Sequence, residues 1–255
     1  MISPPSNLVS IGQAAKLLGV NPATLRRWEE EGLIQSHRAG LKYHRRYYES
    51  DVWKLMAKRP IQNIDITKLG QYWATQPVAP RIPSEYYCET SDQFAARFGR
   101  LATDLKRMLG ENFSSLVGVI AGEIGDNSFA HNIGNWPDTP GVLFAPHLAR
   151  RQIVLADRGQ GVRATLQPSV PSIASDREAL TVAFTKKVSG RAGEARGKGL
   201  KLVRQIVASY PIRLTFQSGK AQLILEPHSS KINISPAPYL RGCLAIIDFG
   251  PSENN

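Results

Sequence analysis

The sequence predicts an α+β chain in two parts: a small basic module of short helices over residues 1–60 and a larger two-layer α/β sandwich over 92–255. Three observations lead there. Cap and glycine signals bracket two short helices before residue 33. Pro60, Pro77, Pro80 and Pro83 interrupt the stretch 61–91, which reads as a linker with short ordered pieces and no helix longer than two turns. From residue 92 onward, amphipathic helical patterns and apolar strand-like runs share the chain, as a layer of helices on a layer of strands requires.

Composition bounds the reading. At 255 residues, with 42% hydrophobic and 21% charged residues, the chain is ordinary globular protein long enough for one or two cores. No stretch reaches the roughly 20 apolar residues of a membrane span, so a cytoplasmic protein without a membrane partner is expected. Cys88 and Cys243 lack metal-ligand spacing, which excludes a disulfide framework or a structural zinc site from the expectation. The net charge of +11 favours polyanionic partners without choosing among them.

In the first module, Ser10 can cap a helix with Ile11, Ala14, Ala15, Leu17 and Leu18 on one face, ended by Gly19. Asn21 caps a second helix with Pro22 at its first position, running to Gly32. Two short helices about a tight glycine turn are the helix-turn-helix signature. A basic segment, His37 to Arg46, and a third helix near residues 49–58 follow. The run SIGQAAKLLGVNPATLRRWEEEGLI, with HRRYYESDVWKL after it, resembles the winged helix-turn-helix of MerR-type regulators and excisionases. That resemblance implies double-stranded DNA as partner. Thr24, Arg26 and Arg27 would enter the major groove on the second helix, and Arg38, Lys42, Arg45 and Arg46 would neutralise phosphates from the wing. The long dimerisation helix of MerR proteins is not found in the sequence, and a homodimer or a protein partner would supply further affinity.

The second part is organised around Glu123, Asn127 and His131. Residues four apart share one helix face, and the stripe Val117, Ile120, Ile124 beside them can hold that helix against a core. The helix is expected over 113–132, after another with Phe94, Phe98, Leu101, Leu105 and Met108 on one face, started by Ser91 or Asp92. Two more stretches belong with it. An apolar strand, 152–156, ends in Asp157-Arg-Gly159-Gln-Gly161, and Gly197-Lys198-Gly199-Leu200 opens an amphipathic helix. Strands at 212–217 and 222–226 are expected to form a hairpin about Ser218-Gly219-Lys220, with a last strand over 242–249.

These three stretches, in this order, resemble the N, G1 and G2 boxes of the GHKL ATP-binding family, the fold of Bergerat type shared by gyrase-like ATPases and histidine kinases. The resemblance implies ATP and Mg2+ as cofactors. Asn127 would be the metal ligand, Glu123 the residue that polarises an attacking water, and His131 a neighbour of the phosphates. Asp157 would accept the adenine amino proton, with Gly159 and Gly161 admitting the nucleotide close to the backbone. Gly197, Lys198, Gly199 and Leu200 would set a helix N-terminus against the phosphates behind a basic lid rich in small residues.

One function follows from joining the halves: an ATP-responsive, DNA-binding transcriptional regulator in which lid closure alters the helix-turn-helix. The alternative is an anti-sigma-type serine kinase or slow ATPase that uses the first module as a partner adaptor. No phosphoacceptor-histidine hairpin or transducer domain is expected, which disfavours a sensor kinase and rapid hydrolysis.

Overall fold

A computed structural model describes residues 8–38, 44–57, 65–186 and 199–250. The first module runs β1 (Leu8–Ser10), α1 (Ile11–Leu17), α2 (Pro22–Glu30), β2 (His37–Arg38), β3 (Arg45–Tyr48) and α3 (Glu49–Ala57), with β3 between β1 and β2 in an antiparallel sheet. Local chemistry starts both early helices where the sequence places them. Ser10 and Gln13 form a reciprocal capping box on α1, and Asn21 accepts the Thr24 N–H at 2.7 Å ahead of Pro22. Gly19, at φ 65°, lets the Val20 N–H reach back to the Ala15 carbonyl at 2.9 Å and close α1.

The rest is α4 (Ile66–Thr75), β4 (Tyr87–Cys88), α5 (Ser91–Leu109), α6 (Glu111–Asn132), β5 (Val142–His147), β6 (Gln152–Asp157), α7 (Gly161–Leu166), α8 (Asp176–Thr185), α9 (Gly199–Ser209), β7 (Ile212–Leu225) and β8 (Asn233–Phe249). The strands form one antiparallel sheet in the order β4-β5-β6-β8-β7. Alternation divides its side chains. Phe144, Ile153, Leu155, Leu214, Ala245 and Ile247 face the core under α5, α6, α8 and α9. Leu143, Ala145, Val154, Ala156 and Leu244 face the other way, into a core shared with α4 and the first module.

The architecture is therefore mixed helix and sheet, but the expected two layers are covered by a third. The central strands are apolar on both faces, so the back face needs a cover, and α4 supplies it. That helix has ten residues, capped by Asp65, where only short pieces were expected. The expected turn at 218–220 is absent: β7 runs straight through it, with register shifts at Gly219, whose φ of 59° makes it a bulge. An acceptor from another element explains this, because the Asp176 carboxylate takes the Lys220 N–H at 2.8 Å. Three smaller differences stand. Thr90, not Ser91 or Asp92, caps α5; Met108 is 39% exposed; and β5 and α7 lie where no element was assigned.

Candidate functional site

Helix α6 holds the first stretch as its spacing requires. Val117, Ile120 and Ile124 are buried in the main core, and Glu123, Asn127 and His131 lie half-buried beside them. Among the described residues, the Glu123 and Asn127 side chains make no hydrogen bond or ion pair, so their oxygens keep their acceptor capacity. The His131 carbonyl accepts from Gln160 Nε2 at 3.2 Å, which brings the end of α6 to the second stretch.

Asp157 closes β6 at 2% exposure. Its Oδ2 accepts from Ser128 Oγ at 2.8 Å, and its Oδ1 accepts the Gly159 N–H at 2.9 Å. Burial pushes its pKa from 3.8 up to about 6, against the opposing pull of the Gly159, Ser128 and Cys243 hydrogen bonds. Gly159 has a reason inside the protein: a Cβ there would lie 2.1 Å from Asn132 Nδ2. Asn132 Oδ1 in turn accepts the Gln160 N–H at 2.9 Å, so the turn is stitched to α6. Gly161, at φ 78°, opens α7, and the next N–H, of Val162, donates to Ser218 Oγ at 3.0 Å.

Gly199 is the first residue of α9, and a Cβ on it would come 2.0 Å from Glu123 Oε2. Residues 76 positions apart, on two of the sequence stretches, are thus in contact. Leu200 packs half-buried against the main core. Gly197 and Lys198 lie outside the described residues, as does the remainder of the expected lid from 187 onward. Among the described residues, no group of three or more His, Cys, Asp or Glu could hold a metal ion. A single neutral oxygen from Asn127 suits Mg2+, which keeps most of its ligands as water and phosphate. A cleft of about 180 Å3 lies beside the second stretch, between α7 and the β7–β8 bulge; Gly161 lines it with Gln160, Arg163, Asp176, Ser218 and Tyr239, whereas Glu123, Asn127, His131, Asp157 and Gly199 do not.

Sequence reasoning missed Arg158. Its guanidinium is fully buried and donates through Nη2 to the Gln76 carbonyl at 2.9 Å and to Asp138 Oδ2 at 2.6 Å, and through Nη1 to the Trp73 carbonyl. Burial raises the Asp138 pKa, but hydrogen bonds from Arg158 and the Thr139 N–H, with the Arg158 charge, pull it below the ordinary carboxylate range. Only the arginine itself signals this in the sequence, since Asp138 lies 20 residues away and the other partners are main-chain carbonyls more than 80 residues away.

In the first module, Arg26 and Arg27 stand exposed on α2, Arg27 paired to Glu31 at 3.5 Å, and Arg38 and Arg46 are exposed on β2 and β3. Thr24 is half-buried and donates its hydroxyl to the Asn21 cap at 3.1 Å. Arg45 differs from its wing neighbours: its Nε donates to Glu29 Oε2 at 2.9 Å, so it fastens β3 to α2. Lys42 lies outside the described residues. Glu29, unmarked by the sequence reading, also accepts from Ser36 and from the buried Tyr47 hydroxyl. Burial raises its pKa, yet the Ser36 and Tyr47 hydrogen bonds and the Arg45 charge together bring it below the usual range.

Residues 10–48 match the family described as MerR family regulatory protein. Those bounds run from the α1 cap to the end of β3 and so take in the helix pair and the strands locked together by Glu29. A MerR-type helix-turn-helix domain at this end of the chain points to DNA-binding transcription regulation. Among curated proteins, none matches the chain. No described helix is long and apolar enough to cross a membrane.

Proposed function

We propose that the chain is a DNA-binding regulator whose MerR-type domain responds to Mg-ATP held by a GHKL-type unit over residues 92–255. The observation that supports this most is the convergence of the three stretches on α6: Glu123 against Gly199 at the start of α9, and Asp157 hydrogen-bonded to Ser128. In this reading Asn127 offers its amide oxygen to the metal, Asp157 receives the adenine amino group, and the α9 N-terminus faces the phosphates. Bound Mg-ATP would supply the charge that draws the basic segment 186–198 over the site. Glu123, with no partner of its own among the described residues, stands where it can orient a water.

Calorimetric titration of Mg-ATP into the full chain tests this. One site per chain is expected, weakened about tenfold or more by Asn127→Ala, in line with loss of a metal contact. A folded protein that shows neither heat nor thermal stabilisation with Mg-ATP would end the nucleotide reading and leave the MerR-type domain as the functional part.

A further inference from the structure

We propose that Arg158 is a positioning residue that ties the candidate nucleotide turn to the DNA-reading domain through α4. This rests on the nucleotide reading above. Asp157 and Arg158 are consecutive at the end of β6, so their side chains leave opposite faces of the sheet. Asp157 reaches forward to Ser128 on α6, and Arg158 reaches back to α4.

The last carbonyls of a helix have no partner within it, and a cation there is doubly favourable. Arg158 takes that place on α4 through the Trp73 and Gln76 carbonyls, while Asp138 holds the guanidinium from the other side with contacts of 2.6 and 3.0 Å. Next to Trp73, the Tyr72 hydroxyl donates to Glu49 Oε1, a buried carboxylate at the first position of α3. Glu49 follows directly on β3, the strand that carries Arg46 and is tied to α2 through Glu29. Apolar contact runs the same way: Ile66, Leu69 and Trp73 are buried in one core with Leu17, Leu18 and Val52 of the first domain and Val154 and Leu244 of the sheet.

A domain tethered loosely to the sheet would need none of these contacts. With them, a displacement of the Asp157-Arg158 backbone either breaks charge-assisted hydrogen bonds in a buried setting or moves α4, and α4 cannot move without taking Glu49 with it. Ligand on the front face of the sheet would in this way bias the DNA-reading surface on the back.

The test uses the full chain and a duplex selected by it from a random pool, with DNA affinity measured with and without Mg-ATP for wild type, Arg158→Lys and Tyr72→Phe. Wild type is expected to change affinity by about fivefold or more, the usual lower range of allosteric coupling. Both variants should bring that ratio close to one while binding Mg-ATP about as tightly as wild type. In wild type alone, Mg-ATP should also alter backbone hydrogen exchange over residues 66–75. Tyr72→Phe removes a single oxygen and keeps the ring, so it serves if Arg158→Lys fails to fold. Variants that keep the wild-type ratio would overturn the α4 connection and leave ATP regulation standing. A purely structural role would lower thermal stability and leave that ratio intact, which counts as the same refutation. A wild-type ratio of one, with or without ATP binding, would instead overturn the regulator reading and the connection together.

Discussion

The two faces of the five-stranded sheet receive one ionisable side chain each from the end of β6 and treat it in opposite ways. On the front, Asp157 is buried with hydrogen bonds from Ser128 and Gly159 but no cation at ion-pair distance among the described residues, and its pKa rises to about 6. On the back, Arg158 is buried as deeply, yet it has a carboxylate and helix-end carbonyls around it. A buried charge is costly unless charge and hydrogen bonds compensate it. The back face is thus built as a fixed attachment. The front face keeps an under-compensated acid, the condition under which a side chain is ready for a ligand.

Removing each group should separate the faces most sharply. Arg158→Met strips Asp138 of its ion-pair partner and the α4 carbonyls of their buried donor, and a loss of about 3–5 kcal/mol is expected, the range for breaking a buried pair, read by urea unfolding. Asp157→Asn should act in the other direction. The folded carboxyl titrates near 6 and the unfolded one near 3.8, so the folded state holds the proton more tightly and stability declines as pH rises from about 4 to about 6. Above pH 6, the Asn variant escapes this cost and should be more stable by up to about 3 kcal/mol, with the gain fading toward pH 4. Its affinity for Mg-ATP should fall at the same time. A destabilised Asn variant at neutral pH would mean that the carboxylate is compensated after all, and the contrast between faces would fail.

How much was readable in advance differs between the same two regions. The α1 and α2 caps and the buried stripe of α6 follow from local spacing, and local spacing is what a sequence displays; that the three stretches belong together came only from their resemblance to the boxes of one family. The back face hid because its determinants are distant. Nothing near Arg158 announces the Trp73 and Gln76 carbonyls, and α4 lay among prolines that suggested a linker. The β7 bulge hid for a related reason: Ser-Gly-Lys reads as a turn until Asp176, 44 positions earlier, supplies an acceptor for Lys220. Arg45 showed only its charge, and its engagement with Glu29 needed the fold.

Two helical glycines sharpen the comparison at lower energy. On the front, a Cβ at Gly125 of α6 would lie 2.1 Å from the Phe94 ring, which sits between Phe98, Phe129 and Phe144 at centroid distances of 5.8, 6.0 and 5.1 Å. That ring has nowhere to go, so Gly125→Ala should lose about 1–2 kcal/mol, an overpacking cost only partly offset by better helix propensity.

On the back, a Cβ at Gly70 of α4 would meet Val154 Cγ1 at 2.7 Å and Leu244 Cδ1 at 3.0 Å. Both are methyl ends of side chains, and small relaxations of each can absorb part of the contact, while the gain of about 1 kcal/mol in helix propensity works in favour of alanine. Gly70→Ala should therefore stay within about 1 kcal/mol of wild type in the same unfolding assay. A loss as large as that of Gly125→Ala would show α4 seated with as little slack as α6. The difference between the faces would then lie in how they hold charge and not in how tightly they pack, with the attachment shared between the packing of α4 and Arg158.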